Sequence, residues 1–451
     1  MAKKKTTDTE AKATPTSIFD ALIEQEFTEV KDLAKIDDTV DYWVDSGNWA
    51  LNYILSKRFR GGYPGGRITN LFGLSGVGKS MFPVIASGAK KWETPDLDQF
   101  DRIVVIDSEG GGNGKGLYQF IGNVDMSKVK YIDTISTLDS YRVSKKDGKQ
   151  EAVADKDVPA GGKLETNDYI YNRGLLCFLK RLIYGMKYNK SNEKICIIVD
   201  SISNIKSFRV AVENGEDMGR TNKLLNNLFG LDNDLHQIGA TVLLASKVYT
   251  NLNNQYDPWV VSGGQSVIYN PSASLKLTAV QDSDEFSDTE LKEEKKRRTT
   301  SLGNSMKIIR ATVSKSRFGT EGRNAWIVLD ATYGLVRNSG LFKLLLDFGA
   351  IVKNGSRYEC PGVIEGSFFK KDFAKIFAEH EQEYIDKLQP IMDKIEEDIR
   401  KKRLSINISD LSEFEEEETE EQEAAFEDSV KNMLAEMQAE DEVAADKARE
   451  E

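Results

Sequence analysis

The chain has 451 residues, 39% hydrophobic and 30% charged, an ordinary composition for a globular protein able to bury one large core or two modest ones. Its formal charge of -12 is local: Glu413 to Glu451 carries 17 acidic and 3 basic residues, leaving about +2 on the rest, so the acidic total does not exclude a nucleic-acid partner. Cys177, Cys196 and Cys360 lack C-x-x-C spacing and the only histidines are His236 and His380, which argues against zinc and against a disulfide framework, and for a reducing, cytoplasmic setting.

The start MAKKKTTDTEAKATPTS is basic but has no apolar signal region, and the longest apolar runs, such as ICIIV, are strand-length; no export signal, anchor or membrane partner is expected. Residues 1–16 read as a disordered polar arm. Within 17–44, Ile18, Phe19, Leu22, Ile23, Phe27 and Val30 follow a Ser17 cap at near-helical spacing. That amphipathic helix either packs on its own domain or docks on a neighbouring subunit.

From about Trp49 strands and helices alternate: RITNLFG, a helix after Lys79, RIVVIDSE, KYIDTI, a helix near Asp168 to Lys187, KICIIVDS, a helix over Arg220 to His236, and TVLLASK. Apolar strand runs separated by helices predict an α/β fold with a central, mostly parallel sheet covered on both faces, spanning 45–338. Two hydrophilic stretches, Arg142 to Lys163 and Gln281 to Ser305, read as exposed insertions outside the core. Residues 339–408 read as a small C-terminal subdomain, and 409–451 as an acidic tail.

Gly73-x-x-x-x-Gly78-Lys79-Ser80 matches the full P-loop pattern, with a strand before it and the helix-compatible MFPVIASGAKKW after it. Pro83 falls in the first helical turn, where it is tolerated. Glycines let the N–H groups of Leu74, Ser75, Gly76, Val77 and Met81 approach phosphate oxygens; Lys79 reaches the outer phosphates and Ser80 offers a hydroxyl to magnesium. Tyr118 is expected among the nucleotide contacts. The implied ligands are ATP and Mg2+. Asp200 ends KICIIVDS, where a carboxylate can hold the metal through its water shell. Glu109, after RIVVIDS, either orients the attacking water or is a solvated loop acid.

In order, DSGNWALNYILSKRFRGGYPGGRITNLFGLSGVGKS, VVIDSEGG, IIVDSISNI, SGGQSVIYNPSASLKL and VSKSRFG resemble the RecA-type recombinases, most closely the tailed-phage UvsX branch. EDMGRTNKLLNNLFG and YGLVRNSGLFKLLLDFGAIVKNGSRY resemble that branch in particular, so the similarity runs from about Asp45 to Tyr358. The resemblance implies a P-loop NTPase core and a DNA-dependent ATPase forming a helical filament on single-stranded DNA, which it pairs with a homologous duplex. Recombination-mediator and single-strand-binding proteins are implied partners.

The same resemblance makes Glu109 the catalytic glutamate and places two DNA-binding loops, one near Ser207 to Gly219 with Arg209, the other from Tyr249 to about Ser272. The second loop is polar, glycine-bearing and aromatic, suited to wrapping a DNA backbone through Ser262, Gly263, Gly264, Gln265 and Ser266. It lacks Lys and Arg, so attraction must come from elsewhere, with Lys206, Arg209 and Arg220 as candidates. Lys315 and Arg317 would reach the nucleotide of the adjacent subunit; strand-end cations facing solvent is the alternative. Where relatives carry a glutamine or histidine that senses the terminal phosphate, this chain has Lys247, a point charge in place of a neutral donor.

The tail's apolar stripe, Phe426, Val430, Met433, Leu434 and Met437, could cover the DNA groove, recruit a basic partner, or merely belong to a solubilising tail. Two other functions fit the same motifs: a RecA-core hexameric helicase or motor, and an ATP-binding DNA filament scaffold with little hydrolysis. A small-molecule kinase fits least, since no lid-like arginine segment follows the core.

Overall fold

The computed structural model describes residues 40–88, 99–109, 126–160, 164–216, 219–250, 259–262, 264–280, 306–330 and 334–404. The chain divides into two compact units, Met1–Gly340 and Leu341–Glu451. The N-terminal arm and helix, the 281–305 stretch and the acidic tail lie outside the described residues.

In the first unit the strands are β1 (Trp43–Val44), β2 (Tyr63–Pro64), β3 (Ile68–Gly73), β4 (Arg102–Asp107), β5 (Val129–Ile132), β6 (Tyr141–Ser144), β7 (Gln150–Ala152), β8 (Tyr169–Asn172), β9 (Ile195–Asp200), β10 (Ala240–Thr250), β11 (Trp259–Val261), β12 (Ala273–Val280), β13 (Met306–Ser316), β14 (Asn324–Asp330) and β15 (Gly334–Leu335). The main sheet runs β5-β4-β9-β10-β3-β12-β13-β14-β15, with β11 added to β10. Along this order every pairing from β5 to β12 is parallel, while β11 pairs antiparallel with β10 and β13, β14 and β15 form an antiparallel wing.

The parallel part follows from composition. Every residue of β3 is buried, as are Ile195 to Val199 of β9, so apolar side chains must be covered on both faces. The helix Leu175–Asn189 supplies part of that cover through Leu175, Leu176, Leu179, Ile183 and Met186, in one apolar cluster with Ile197, Val199 and Leu244.

Several elements differ from the sequence reading. Tyr169–Asn172 is a strand, and the helix expected from Asp168 begins at Leu175; the alternation in YIYN favours a strand over a helical turn. The 142–163 stretch is not merely a surface excursion. It joins β6, β7 and β8 in a separate three-stranded antiparallel sheet, and Val158 is only 2% exposed. Arg181 ties it to the long helix by donating to the carbonyls of Pro159 (2.7 Å), Asp155 (3.0 Å) and Val158. The helix over Arg220 to His236 is two, Arg220–Phe229 and Asp232–Gln237, parted at Gly230 and Leu231. Trp43 and Val44, placed by sequence in the N-terminal helical segment, form β1 and pair with β2.

The second unit holds the helices Leu341–Asp347, Phe373–Glu379 and Glu381–Leu404 and a small antiparallel sheet of β16 (Val352–Asn354), β17 (Arg357–Cys360) and β18 (Ile364–Phe368). Phe342 and Phe368 both pack on Phe373, which packs on Phe377 and that on Tyr384, with ring centroids 5.2–5.8 Å apart. All three cysteines are free and buried, and no described helix is long and apolar enough to cross a membrane.

One polar knot closes the first unit. Arg337 donates to both carboxylate oxygens of Asp45 at 2.7 Å, and its guanidinium lies 3.6 Å from the centroid of Trp49, at the start of the helix Trp49–Ser56. Asn48 caps that helix and also reaches the carbonyls of Val336 (2.8 Å) and Ser339 (3.0 Å). Removing one member of a largely desolvated pair strands its partner's charge. Arg337→Ala is therefore expected to cost about 3 kcal/mol in urea unfolding; an unshifted midpoint would show that the knot contributes nothing to stability.

Candidate functional site

Parallel register sets the site. Asp107 of β4 lies opposite Asp200 of β9, which lies opposite Ala245 of β10; two residues further on, Lys247 lies opposite Gly73 of β3. The carboxyl ends of four strands therefore present Gly73, Asp107, Asp200 and Lys247 along one edge. In open α/β sheets this edge is where ligands bind.

The loop from Gly73 to Ser80 needs its glycines. A Cβ on Gly73 would sit 2.2 Å from the Leu277 carbonyl oxygen, and one on Gly78, at φ +98°, 2.3 Å from Leu329 Cδ2. The helix Met81–Ala86 follows directly. Lys79 is 8% exposed and donates to the Leu74 carbonyl at 2.7 Å. Burial lowers its pKa, while Asp200 and Glu109 act in the opposite sense. Burial likewise raises the Asp200 pKa; a hydrogen bond with Ser80 lowers it, and Glu109 and Asp107 raise it further.

A cleft opens over this loop, lined by Ser75, Gly76, Gly78, Lys79, Ser80, Met81, Glu109, Asp200, Lys247, Lys307 and Leu329. Three lysines around a glycine loop suit a polyphosphate, and the Ser80 hydroxyl beside the Asp200 carboxylate is the hard oxygen donor pair that magnesium takes. The residues present thus fit a metal–nucleotide complex. Lys307 was not singled out in the sequence; from β13 it donates to the Gly76 carbonyl at 2.6 Å.

Lys247 is the residue with contacts on both sides. Its ammonium lies 3.0 Å from Glu109 Oε1 and 3.3 Å from Asn204 Oδ1, while its carbonyl accepts from Ser262 N–H at 2.9 Å. Glu109 is held from behind as well, because its N–H donates to Asp107 Oδ1 at 2.8 Å. The other Asp107 oxygen accepts from the Tyr131 hydroxyl, which pushes that phenol up to about 12.

The two loops expected to bind DNA approach each other: Lys206 Nζ donates to Ser262 Oγ at 3.3 Å. In the first, Arg209 is exposed on the short helix Phe208–Ala211. Arg220 is exposed but ion-paired to Asp139 at 3.0 Å. The second begins as a hairpin, Val248 to Thr250 pairing with Trp259 to Val261, and Tyr249 there is 54% exposed. Gly264 adopts φ +76°, Gln265 is exposed, and Ser266 opens the helix Ser266–Tyr269. Tyr118 and Gly263 lie outside the described residues. Fully buried Asn70, also missed by sequence reasoning, donates to the Val267 carbonyl at 3.0 Å and accepts from Ser246 Oγ at 2.6 Å. It ties the strand before the glycine loop to the end of the second loop.

Lys315 and Arg317 are not in the cleft. Lys315 lies opposite Ser274, which lies opposite Asn70, so the pair sits toward the start of β3, about 10 Å or more along the strand from Gly73. Lys315 donates to the Pro271 carbonyl, and burial lowers its pKa. Arg317 pairs with Asp232 at 3.3 Å and donates to the Asn270 carbonyl at 3.1 Å.

No family model matches the chain, and no curated relative matches it. Among solved structures, the crystal structure of the RadB recombinase aligns with 65% of this chain and 99% of its own, at 15% identity and a TM-score of 0.37.

The raised Asp200 pKa gives a signed expectation. A carboxylate whose pKa is higher folded than unfolded opposes folding above its unfolded value, and that opposition fades as pH falls through the folded value. Asp200→Asn should therefore raise the urea midpoint of the ligand-free protein at pH 7 while weakening magnesium-dependent nucleotide binding. A lower midpoint in the variant would mean that Asp200 is structural.

Proposed function

We propose that the protein is a DNA-dependent ATPase of the RecA recombinase type, forming a helical filament on single-stranded DNA and promoting homologous pairing and strand exchange. The observation that carries this reading is Lys247, whose side chain meets Glu109 in the cleft and whose carbonyl holds the second loop at Ser262. A candidate nucleotide site and a candidate DNA loop share one residue.

On this reading the backbone from Gly73 to Ser80 wraps the phosphates and Lys79 exchanges the Leu74 carbonyl for a phosphate oxygen. Ser80 and Asp200 would hold magnesium, which when bound neutralises phosphate charge. Glu109 orients the attacking water and receives its proton. The terminal phosphate draws Lys247 away from Glu109, freeing that carboxylate and shifting the strand end that holds Ser262. DNA, by drawing on the second loop at Ser262, favours the same displacement; each ligand then strengthens the other's binding, as linkage requires. Lys315 and Arg317 would serve the nucleotide of the next subunit. Mediator and single-strand-binding proteins belong to the same proposal.

One observation favours a second reading, a filament scaffold with little turnover: the Lys247 ammonium occupies the catalytic glutamate. Turnover with magnesium, with and without single-stranded DNA, separates the two. We expect marked stimulation by DNA, abolished in Lys79→Ala and reduced at least about 10²-fold in Glu109→Gln. Equal turnover with and without DNA would overturn the recombinase reading, and negligible turnover despite tight ATP and DNA binding would select the scaffold. A further expectation concerns assembly. Lys315→Ala should still bind nucleotide but lose roughly 10³-fold of DNA-stimulated turnover, the scale of a cation supplied in trans; full activity would place that cation elsewhere.

A further inference from the structure

We propose that the inserted sheet β6-β7-β8, fastened to the first of the two loops, is a stacking platform for single-stranded nucleic acid; this rests on the DNA-binding reading above. The sequence offered no role for this stretch, and the cleft residues do not include it. Its position and its surface chemistry are independent observations that agree.

The sheet is fastened to the first loop at several points. Just before β6, Thr137 bridges to Lys206 and Leu138 N–H donates to the Lys206 carbonyl at 2.8 Å. Asp139 accepts from Phe208 N–H at 2.6 Å and from Arg220 at 3.0 Å, so one carboxylate holds both ends of the loop. Tyr141, the first residue of β6, then stacks on Phe208 with centroids 5.0 Å apart and planes at 25°. Lys206 in turn reaches Ser262 of the second loop. The inserted sheet, Arg209 and Ser262 are thus parts of one connected framework.

The side of β6 opposite Tyr141 carries the chemistry. Arg142 lies opposite Tyr171, and Ser144 opposite Tyr169, so strand alternation puts Arg142, Tyr169 and Tyr171 on one face. The Tyr169 and Tyr171 rings lie 6.3 Å apart, and the Arg142 guanidinium is 4.1 Å from the Tyr169 centroid while paired with Glu151. Both tyrosines are partly exposed. The β6–β7 turn adds Lys145, Lys146 and Lys149 against a single aspartate, Asp147, with Lys146 and Lys149 exposed and Lys145 paired to Glu165 at 2.6 Å.

Aromatic rings on alternate positions of a strand, beside cations, form the surface on which unpaired bases stack while the backbone follows positive charge. A duplex keeps its base faces covered and gains nothing from such rings. The occupant is therefore a single strand. Because the rings are mounted on paired strands, they are held in place before the ligand arrives.

The experiment uses the full chain and a fluorescent oligo-dT, with binding followed by anisotropy at fixed salt. Tyr169→Ala/Tyr171→Ala should raise Kd about tenfold or more, the lower range of losses on removing base-stacking rings. Tyr169→Phe/Tyr171→Phe, which keeps the rings and loses the hydroxyls, should bind like the parent. DNA-free ATP turnover, equal in all three, reports an intact cleft. An unchanged Kd in the alanine variant overturns the platform while leaving the recombinase reading standing. No binding by the parent protein overturns both. If the alanine variant does not fold, photo-crosslinking of 5-bromouracil oligonucleotide to the parent protein decides: adducts at Tyr169 or Tyr171 support the platform, and adducts confined to the two loops overturn it.

Discussion

The register of β3 against β10, held over six residue pairs from Ile68–Val242 to Gly73–Lys247, is the constraint on which the rest depends. A slip of one residue would turn every side chain of β10 to the other face and remove Lys247 from beside Glu109. Buried side chains on both strands make that slip prohibitive, since each would exchange its packing partners. Ser246 lies opposite Phe72, two residues beyond Asn70 on the same face, and its hydroxyl donates diagonally to Asn70, a buried hydrogen bond that a shifted pairing could not make. Packing and polar specificity therefore select one alignment, and that alignment assembles the site.

The cleft is electrostatically uneasy. Burial opposes the charge on both Lys79 and Asp200, and Asp107 and Glu109 crowd the same edge. Within the ligand-free protein the charges partly answer one another, through Lys247 with Glu109 and Lys79 with the Leu74 carbonyl. A polyphosphate with a divalent cation would satisfy lysines and carboxylates at once, and binding energy of that kind appears as added stability of the folded state. Strain of this sort is what a site tolerates because its ligand relieves it.

What the sequence made legible was local. The glycine loop occupies eight consecutive residues between a strand and a helix, and Asp200 ends an apolar run, so both could be placed by pattern alone. The Lys247–Glu109 pair could not, because it joins residues 138 positions apart in sequence and exists only through sheet register. Lys307 and Asn70 escaped notice because a polar residue within a strand carries no motif until its neighbour is known. The insertion at Arg142 to Lys163 lies outside the main sheet, as its charge implies, but its own strands were not legible for a related reason: a single buried valine, Val158, does not register against that charge. The YIYN strand was absorbed into the helix that follows, since four residues are too few for a period to declare itself.

The two ends of the main sheet carry, under the proposed function, complementary halves of one chemistry. The glycine loop, Asp200 and Glu109 lie at the carboxyl ends of β3, β9 and β4, whereas Lys315 and Arg317 lie toward the other end of β3, beyond reach of their own cleft. Under the proposed function, a cation from one protomer can meet the nucleotide of another only through a head-to-tail contact. Such an interface joins unlike surfaces, so it cannot close in a two-fold dimer; repetition yields a ring or an open helix, according to the rotation per step. The partial desolvation of Lys315 fits a group set at an interface, where an incoming phosphate would stabilise its charge. Nucleotide would then act as both substrate and joint, and its hydrolysis would loosen the contact that made hydrolysis possible.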